Sequence, residues 1–111
     1  MYKELVRKVL KKEKAKGKIN IMLTDDRTVH ALNKKYRHKD KPTDVLSFTM
    51  GEDGILGDIA ISEETTRKNA VRYGVPYRTE LKRLVIHGVL HILGYDHGKK
   101  MRNAEAIYQK L

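Results

Sequence analysis

The segment His87-Gly88-Val89-Leu90-His91-Ile92-Leu93-Gly94-Tyr95-Asp96-His97 constrains this chain more than any other, because it sets three imidazoles at H-x-x-x-H-x-x-G-x-x-H spacing. Residues four apart on an α-helix lie one above the other, so His87 and His91 can present ring nitrogens to one ion. Glycine accepts the left-handed backbone that ends a helix and reverses the chain. Gly94 therefore breaks the helix and lets His97 swing back as a third ligand. From Leu84 to Leu93 the segment carries no Asp, Glu, Lys or Arg and is apolar nearly all round, as in a buried helix. Histidines buried there without partners would cost on the order of 1 to 3 kcal/mol each, and a shared metal ion removes that cost.

Zinc fits this set best. Neutral imidazole is a borderline ligand with Zn–N near ~2.0 to 2.1 Å, and three protein ligands leave a fourth position for water, as in catalytic rather than structural sites. Nickel or another divalent transition metal also suits three imidazoles. The chain has no cysteine to close the site, and Asp58, Asp96, His30 and His38 are the residues that could supply a fourth ligand. Asp58 and Asp96 are also the carboxylates that could orient a ligand imidazole or serve as a base. Three neutral ligands leave the ion's full charge on the site, which lowers the pKa of a bound water toward ~7 and yields a nucleophile.

The scissile bond is narrowed by what stands next to the first histidine. In H-E-x-x-H zinc peptidases that residue is the glutamate base; here it is Gly88, so a peptidase is the weaker reading. Lys plus Arg number 24 against 14 Asp plus Glu, a net charge of +10, with an isoelectric point near 9.8. A polyanion is the natural partner, and nucleic acid is favoured over a membrane because the lysines run along the whole chain. Phosphodiester hydrolysis then suits the inventory, since a metal and nearby cations share the charge that builds on the non-bridging oxygens. Arg37 is the candidate catalytic cation, with a planar fork that binds phosphate in bidentate fashion, and Lys34, Lys35, Lys39 and Lys41 around it are candidate nucleic-acid contacts.

The pattern predicts one domain over residues 1–111. Tyr2 to Lys16 reads as an amphipathic helix with Leu5, Val6, Val9 and Leu10 inward. Lys18 to Thr24 alternates as a half-buried strand with Ile19, Ile21 and Leu23 inward. Thr24, Asp25 and Asp26 offer N-caps for a helix to about Tyr36, with Val29, Leu32 and Tyr36 facing the core. Arg37 to Thr43 is a charged loop. Val45 to Met50 and Ile55 to Ser62 form a hairpin about Gly51–Gly54, and Ser62 caps a helix to about Tyr73. The metal helix spans about Tyr77 to Gly94, and a last helix, Lys99 to Lys110, packs through Ala104, Ile107, Tyr108 and Leu111. This order predicts an α+β fold: a small mixed sheet with helices packed on it around a buried metal-binding helix. The first residues lack a signal peptide's apolar run and no segment reaches membrane-spanning length, so a soluble, intracellular protein with no membrane partner is expected.

Asn33, Arg37, the run Pro42-Thr43-Asp44-Val45-Leu46-Ser47-Phe48, then Leu56-Gly57-Asp58-Ile59, then His87 to His97 occur in that order. Together they resemble the YbeY family of bacterial metal-dependent endoribonucleases, with matching blocks from about Ile19 to Met101. The resemblance implies a zincin-like α+β fold and a single-strand-specific endoribonuclease. Such an enzyme acts in maturation of the 3′ end of small-subunit 16S ribosomal RNA and in ribosome quality control, in the cytoplasm. By the same resemblance His87, His91 and His97 match the metal ligands and Arg37 matches an arginine important for activity. The implied partners are ribosomal RNA and the small subunit, with a ribosomal protein or ribosome-associated GTPase as a means of delivery. The Lys-rich first helix matches no family motif, and the stretch after His97 is shorter than the family leads one to expect. The rival from another class is a non-catalytic ribosome- or RNA-binding module with a structural metal, which requires a fourth protein ligand such as Asp58.

Overall fold

Period-2 alternation at Lys18–Thr24 and a run at Ile55–Ser62 that is buried on both faces over its second half form two strands that lie side by side, and the computed structural model, which describes residues 2–111, shows them parallel. The elements in chain order are α1 (Lys3–Lys12), β1 (Lys18–Thr24), α2 (Asp26–Arg37), β2 (Val45–Glu52), β3 (Ile55–Ser62), α3 (Glu63–Tyr73), α4 (Tyr77–Ile92) and α5 (Lys99–Gln109). The sheet order is β1-β3-β2, with β2 and β3 antiparallel, so the sheet is mixed and β3 is its centre. Asp53 and Gly54, both at positive φ (53° and 74°), turn the hairpin; a two-residue turn with both residues left-handed matches the twist of the strands it joins. The architecture is the expected α+β one.

Capping explains where the helices begin. Asp25 accepts from the Thr28 amide at 2.8 Å to start α2, and Ser62 accepts from the Thr65 amide at 3.2 Å to start α3. Three local expectations are corrected. Helix α1 stops at Lys12 rather than Lys16, because Lys14 turns left-handed and Gly17, at φ 145°, passes so close to Leu56 that a Cβ there would lie 2.6 Å from Leu56 Cγ. Tyr36 is exposed at the end of α2, where its ring packs edge-on against Phe48 instead of entering the core. On α5 the packing face is Met101, Ala104 and Tyr108, while Ile107 and Leu111 are exposed. The three buried positions follow the i, i+3, i+7 spacing of one helical stripe, whereas Ile107 lies off it.

The core is built around α4. Leu81, Leu84, Val85, Ile86, Val89 and Leu90 are all buried, packed with Ile59 and Ile61 of β3 and with Val6, Val9 and Leu10 of α1. The helix can approach the sheet closely because glycines stand at both sides of the contact. A Cβ on Gly88 would lie 2.8 Å from Ile59 Cδ1, and one on Gly57 would lie 2.8 Å from Ile92 Cδ1 and 2.5 Å from the Phe48 carbonyl. Among the described residues, no helix is long and apolar enough to cross a membrane.

Candidate metal centre

Helix α4 carries His87 and His91 one turn apart near its C-terminal end. It then closes with a Schellman motif: the Tyr95 amide donates to the Leu90 carbonyl and the Gly94 amide to the His91 carbonyl, both at 3.0 Å, with Gly94 at φ 99°. That reversal returns His97 to the helix. The three rings stand with centroids 4.6 to 5.4 Å apart. Among the described residues, His87, His91 and His97 are the one group able to hold a metal, with ligand atoms all within 4.8 Å of one another.

The donor set fits a divalent transition ion. The Nε2 atoms of His87 and His91 are 3.1 Å apart, close to the roughly 3.3 Å expected between two nitrogens on one tetrahedral zinc with Zn–N near 2.05 Å. His97 stands exposed on the exit turn. Glu105 of α5 accepts from His87 Nδ1 at 2.9 Å. That bond keeps the His87 proton on Nδ1 and leaves the Nε2 lone pair facing His91, the arrangement by which a carboxylate fixes a metal-binding tautomer. Burial lowers the pKa of His91, and the neighbouring His87 and His97 lower it further. A neutral imidazole is the form that binds metal.

The remaining candidates are distributed as follows. Asp58 accepts from Asn20 Nδ2 at 3.0 Å, across β1 and β3. Its flanking residues Gly57 and Ile59 meet α4, so strand alternation turns Asp58 to the opposite face of the sheet. The carboxylate that reaches the ligand set is Glu105. Asp96 is exposed on the exit turn beside His97. His30 is engaged by Asp40 at 2.8 Å, and His38 forms the left-handed cap that ends α2.

Arg37, the last residue of α2, donates through Nη2 to the Ser47 carbonyl and lies over the Phe48 ring at 5.4 Å. Ser47 Oγ in turn donates to the Gly88 carbonyl at 3.3 Å. A short relay of contacts thus joins the Arg37 guanidinium to the turn of α4 between the two histidines. The loop after Arg37 is tied down by buried Asn33, whose side chain donates to the Lys41 carbonyl at 2.8 Å. Lys34 lies 3.9 Å from Asp40 and Lys35 lies over the Tyr36 ring, while Lys39 and Lys41 are exposed. Glu105 and Ser47 had no local signature: each reaches the metal helix from a distant part of the chain, 18 and 41 residues away.

The family model described as Endoribonuclease YbeY matches residues 1–110. A protein named Endoribonuclease YbeY from Persephonella marina is 45% identical over 113 residues, covering 96% of this chain and 74% of that protein. One of the same name from Aquifex aeolicus is 51% identical over 85 residues, covering 73% of this chain and 57% of that protein. The solution structure of TM1509 from Thermotoga maritima superposes with a TM-score of 0.73 at 32% identity, covering 97% of this chain and 76% of that one.

Proposed function

The chain belongs to the YbeY endoribonuclease family, and from that premise we propose that residues 1–111 form one metal-dependent endoribonuclease domain. Its substrate is single-stranded RNA, in the cytoplasm, with maturation of the 16S ribosomal RNA 3′ end on the small subunit and ribosome quality control as its setting. The observation that carries this reading is the convergence of His87, His91 and His97 beside Glu105. Zinc is the ion proposed, with nickel the next best fit to three imidazoles.

When bound, the ion supplies Lewis acidity toward phosphoryl oxygens and lowers the pKa of water toward ~7. Glu105 holds the proton of His87 on Nδ1 and so keeps Nε2 available as a ligand atom. Arg37 is proposed to bind the phosphate. Its single bond to the Ser47 carbonyl and its stacking on Phe48 orient the guanidinium, while its other N–H groups remain as donors for oxygens. Lys34, Lys35, Lys39 and Lys41 are proposed to draw in the RNA backbone through counterion release.

Two rival readings lose support. A structural metal would need a fourth protein ligand, and Asp58 is bonded to Asn20 on the far face of the sheet. A peptidase base at position 88 would be buried against Ile59.

The test is cleavage of an end-labelled single-stranded ribosomal RNA fragment by zinc-loaded protein, by chelator-treated protein and by a His87→Ala, His91→Ala variant, each checked for helix content by circular dichroism. Cutting by the loaded wild type alone supports the proposal. Equal cutting by all three, or unfolding of the chelated protein, overturns it.

A further inference from the structure

The third metal ligand sits on an exit turn whose own backbone offers little restraint beyond the Schellman motif. What holds that turn in place comes from the far end of the sequence and from its beginning. Tyr95, two residues before His97, donates its hydroxyl to Glu13 Oε1 at 2.8 Å, and Tyr108 of α5 donates to Glu13 Oε2. Both oxygens of one carboxylate are therefore taken by phenols separated from it by 82 and 95 residues. Tyr108 is buried and Tyr95 and Glu13 are half-buried, so these bonds are partly shielded from competing water. A hydrogen bond to an ionised acceptor is about twice as strong as a neutral one.

The geometry points to Glu13 as a positioning residue for the metal centre, acting through Tyr95 to hold the turn that presents His97. This rests on the tri-histidine reading above and extends it. Helix α5 is the common support. Glu105 and Tyr108 are three apart, hence neighbours on one helical face, and they brace the two ends of the ligand set: Glu105 at His87, Tyr108 through Glu13 at the His97 turn. The Lys-rich α1, which matches no motif of the family, gains a role as the element that delivers Glu13. A second observation agrees. The Glu13 amide closes the last turn of α1 on the Val9 carbonyl at 2.9 Å, and Val9 is buried in the core, so the carboxylate is carried on an anchored segment rather than a free loop.

The experiment measures zinc affinity by competition with a chromophoric chelator and records the absorption spectrum of the cobalt-substituted protein. It compares the wild type with Tyr95→Phe, Tyr108→Phe, Glu13→Ala and Glu13→Gln, alongside thermal melts of the metal-free forms. Loss of a group that orients a ligand lowers metal affinity by about 10- to 100-fold. That fall is expected for Tyr95→Phe and Glu13→Ala, with an altered cobalt spectrum. A smaller fall is expected for Tyr108→Phe, and partial recovery in Glu13→Gln, whose amide oxygen still accepts. A purely structural brace would lower the metal-free melting temperature while leaving affinity and spectrum unchanged, and that result in the folded Tyr95→Phe variant overturns the inference. A wild-type protein that binds no zinc overturns it together with the metal-centre reading, whereas equal binding by wild type and variants overturns the positioning role alone.

Discussion

Replacing Gly88 by alanine tests the close approach of α4 to the sheet, and the sign of the effect decides the matter. In a solvated helix interior this change stabilises by about 1 kcal/mol, because alanine loses less backbone freedom on folding. Here the added Cβ would stand 2.8 Å from Ile59 Cδ1, 3.1 Å from Ile59 Cγ2 and 3.1 Å from Ser47 Oγ. Ile59 is 1% exposed and packed among α4 and α1 residues, so it has no free volume to rotate into. Forcing a methyl into such a core costs about 1 to 3 kcal/mol. The two effects oppose, leaving a net loss on the order of 1 kcal/mol, which for a domain of this size lowers the melting temperature by roughly 4 °C. Urea denaturation of the metal-free protein, fitted for midpoint and slope, reads this directly. A variant stabilised by the full helix-propensity gain would refute the account of Gly88 as the residue that lets the metal helix lie against β3.

Glu105→Ala is expected to weaken zinc binding by about 10- to 100-fold, read by chelator competition; unchanged affinity would show that the bond to His87 does not orient the ring. Arg37→Glu is expected to lower the rate of RNA cleavage by about 100-fold or more, on the scale of losing one preorganised charge donor. Arg37→Lys should fall between, since lysine lacks the planar fork, and wild-type rates in both would remove Arg37 from the site. The Ser62 and Thr65 hydroxyls donate to Asp26, holding its carboxyl below its ordinary value near 3.8, with Lys68 adding to the effect. A depressed folded pKa contributes stability that is present above the unfolded value and lost as pH falls through the folded one. Asp26→Asn should therefore destabilise at pH 7, and the gap between its urea midpoint and the wild type's should be smaller at a pH below about 3.8, where the unfolded carboxyl takes up its proton, than at pH 7. An equal gap at both pH values would be the refuting result.

Much of this structure was legible because its causes are local. The His87–His91 pair, the glycine at the exit turn, the caps at Asp25 and Ser62 and the alternation in β1 each depend on residues within one helical turn or one strand, where geometry follows from backbone periodicity. The misreadings have the same origin seen from the other side. Tyr36, Ile107 and Leu111 are apolar at helical spacing, and which stripe of a helix is covered depends on what the rest of the chain brings to it.

By itself, then, the sequence determined the element types, the buried character of α4, the histidine triplet that could hold a metal and the basic composition that suits a polyanion. Only the tertiary structure decided that β3 lies between β1 and β2, that Asp58 turns away from the metal helix while Glu105 turns toward it, that Arg37 rests on Phe48, and that Glu13 ties Tyr95 to Tyr108. Those pairings span from 11 to 95 positions of chain. No periodicity or capping rule reaches that far, because such contacts are set by how whole elements pack to bury the core, and only then by the side chains that happen to meet.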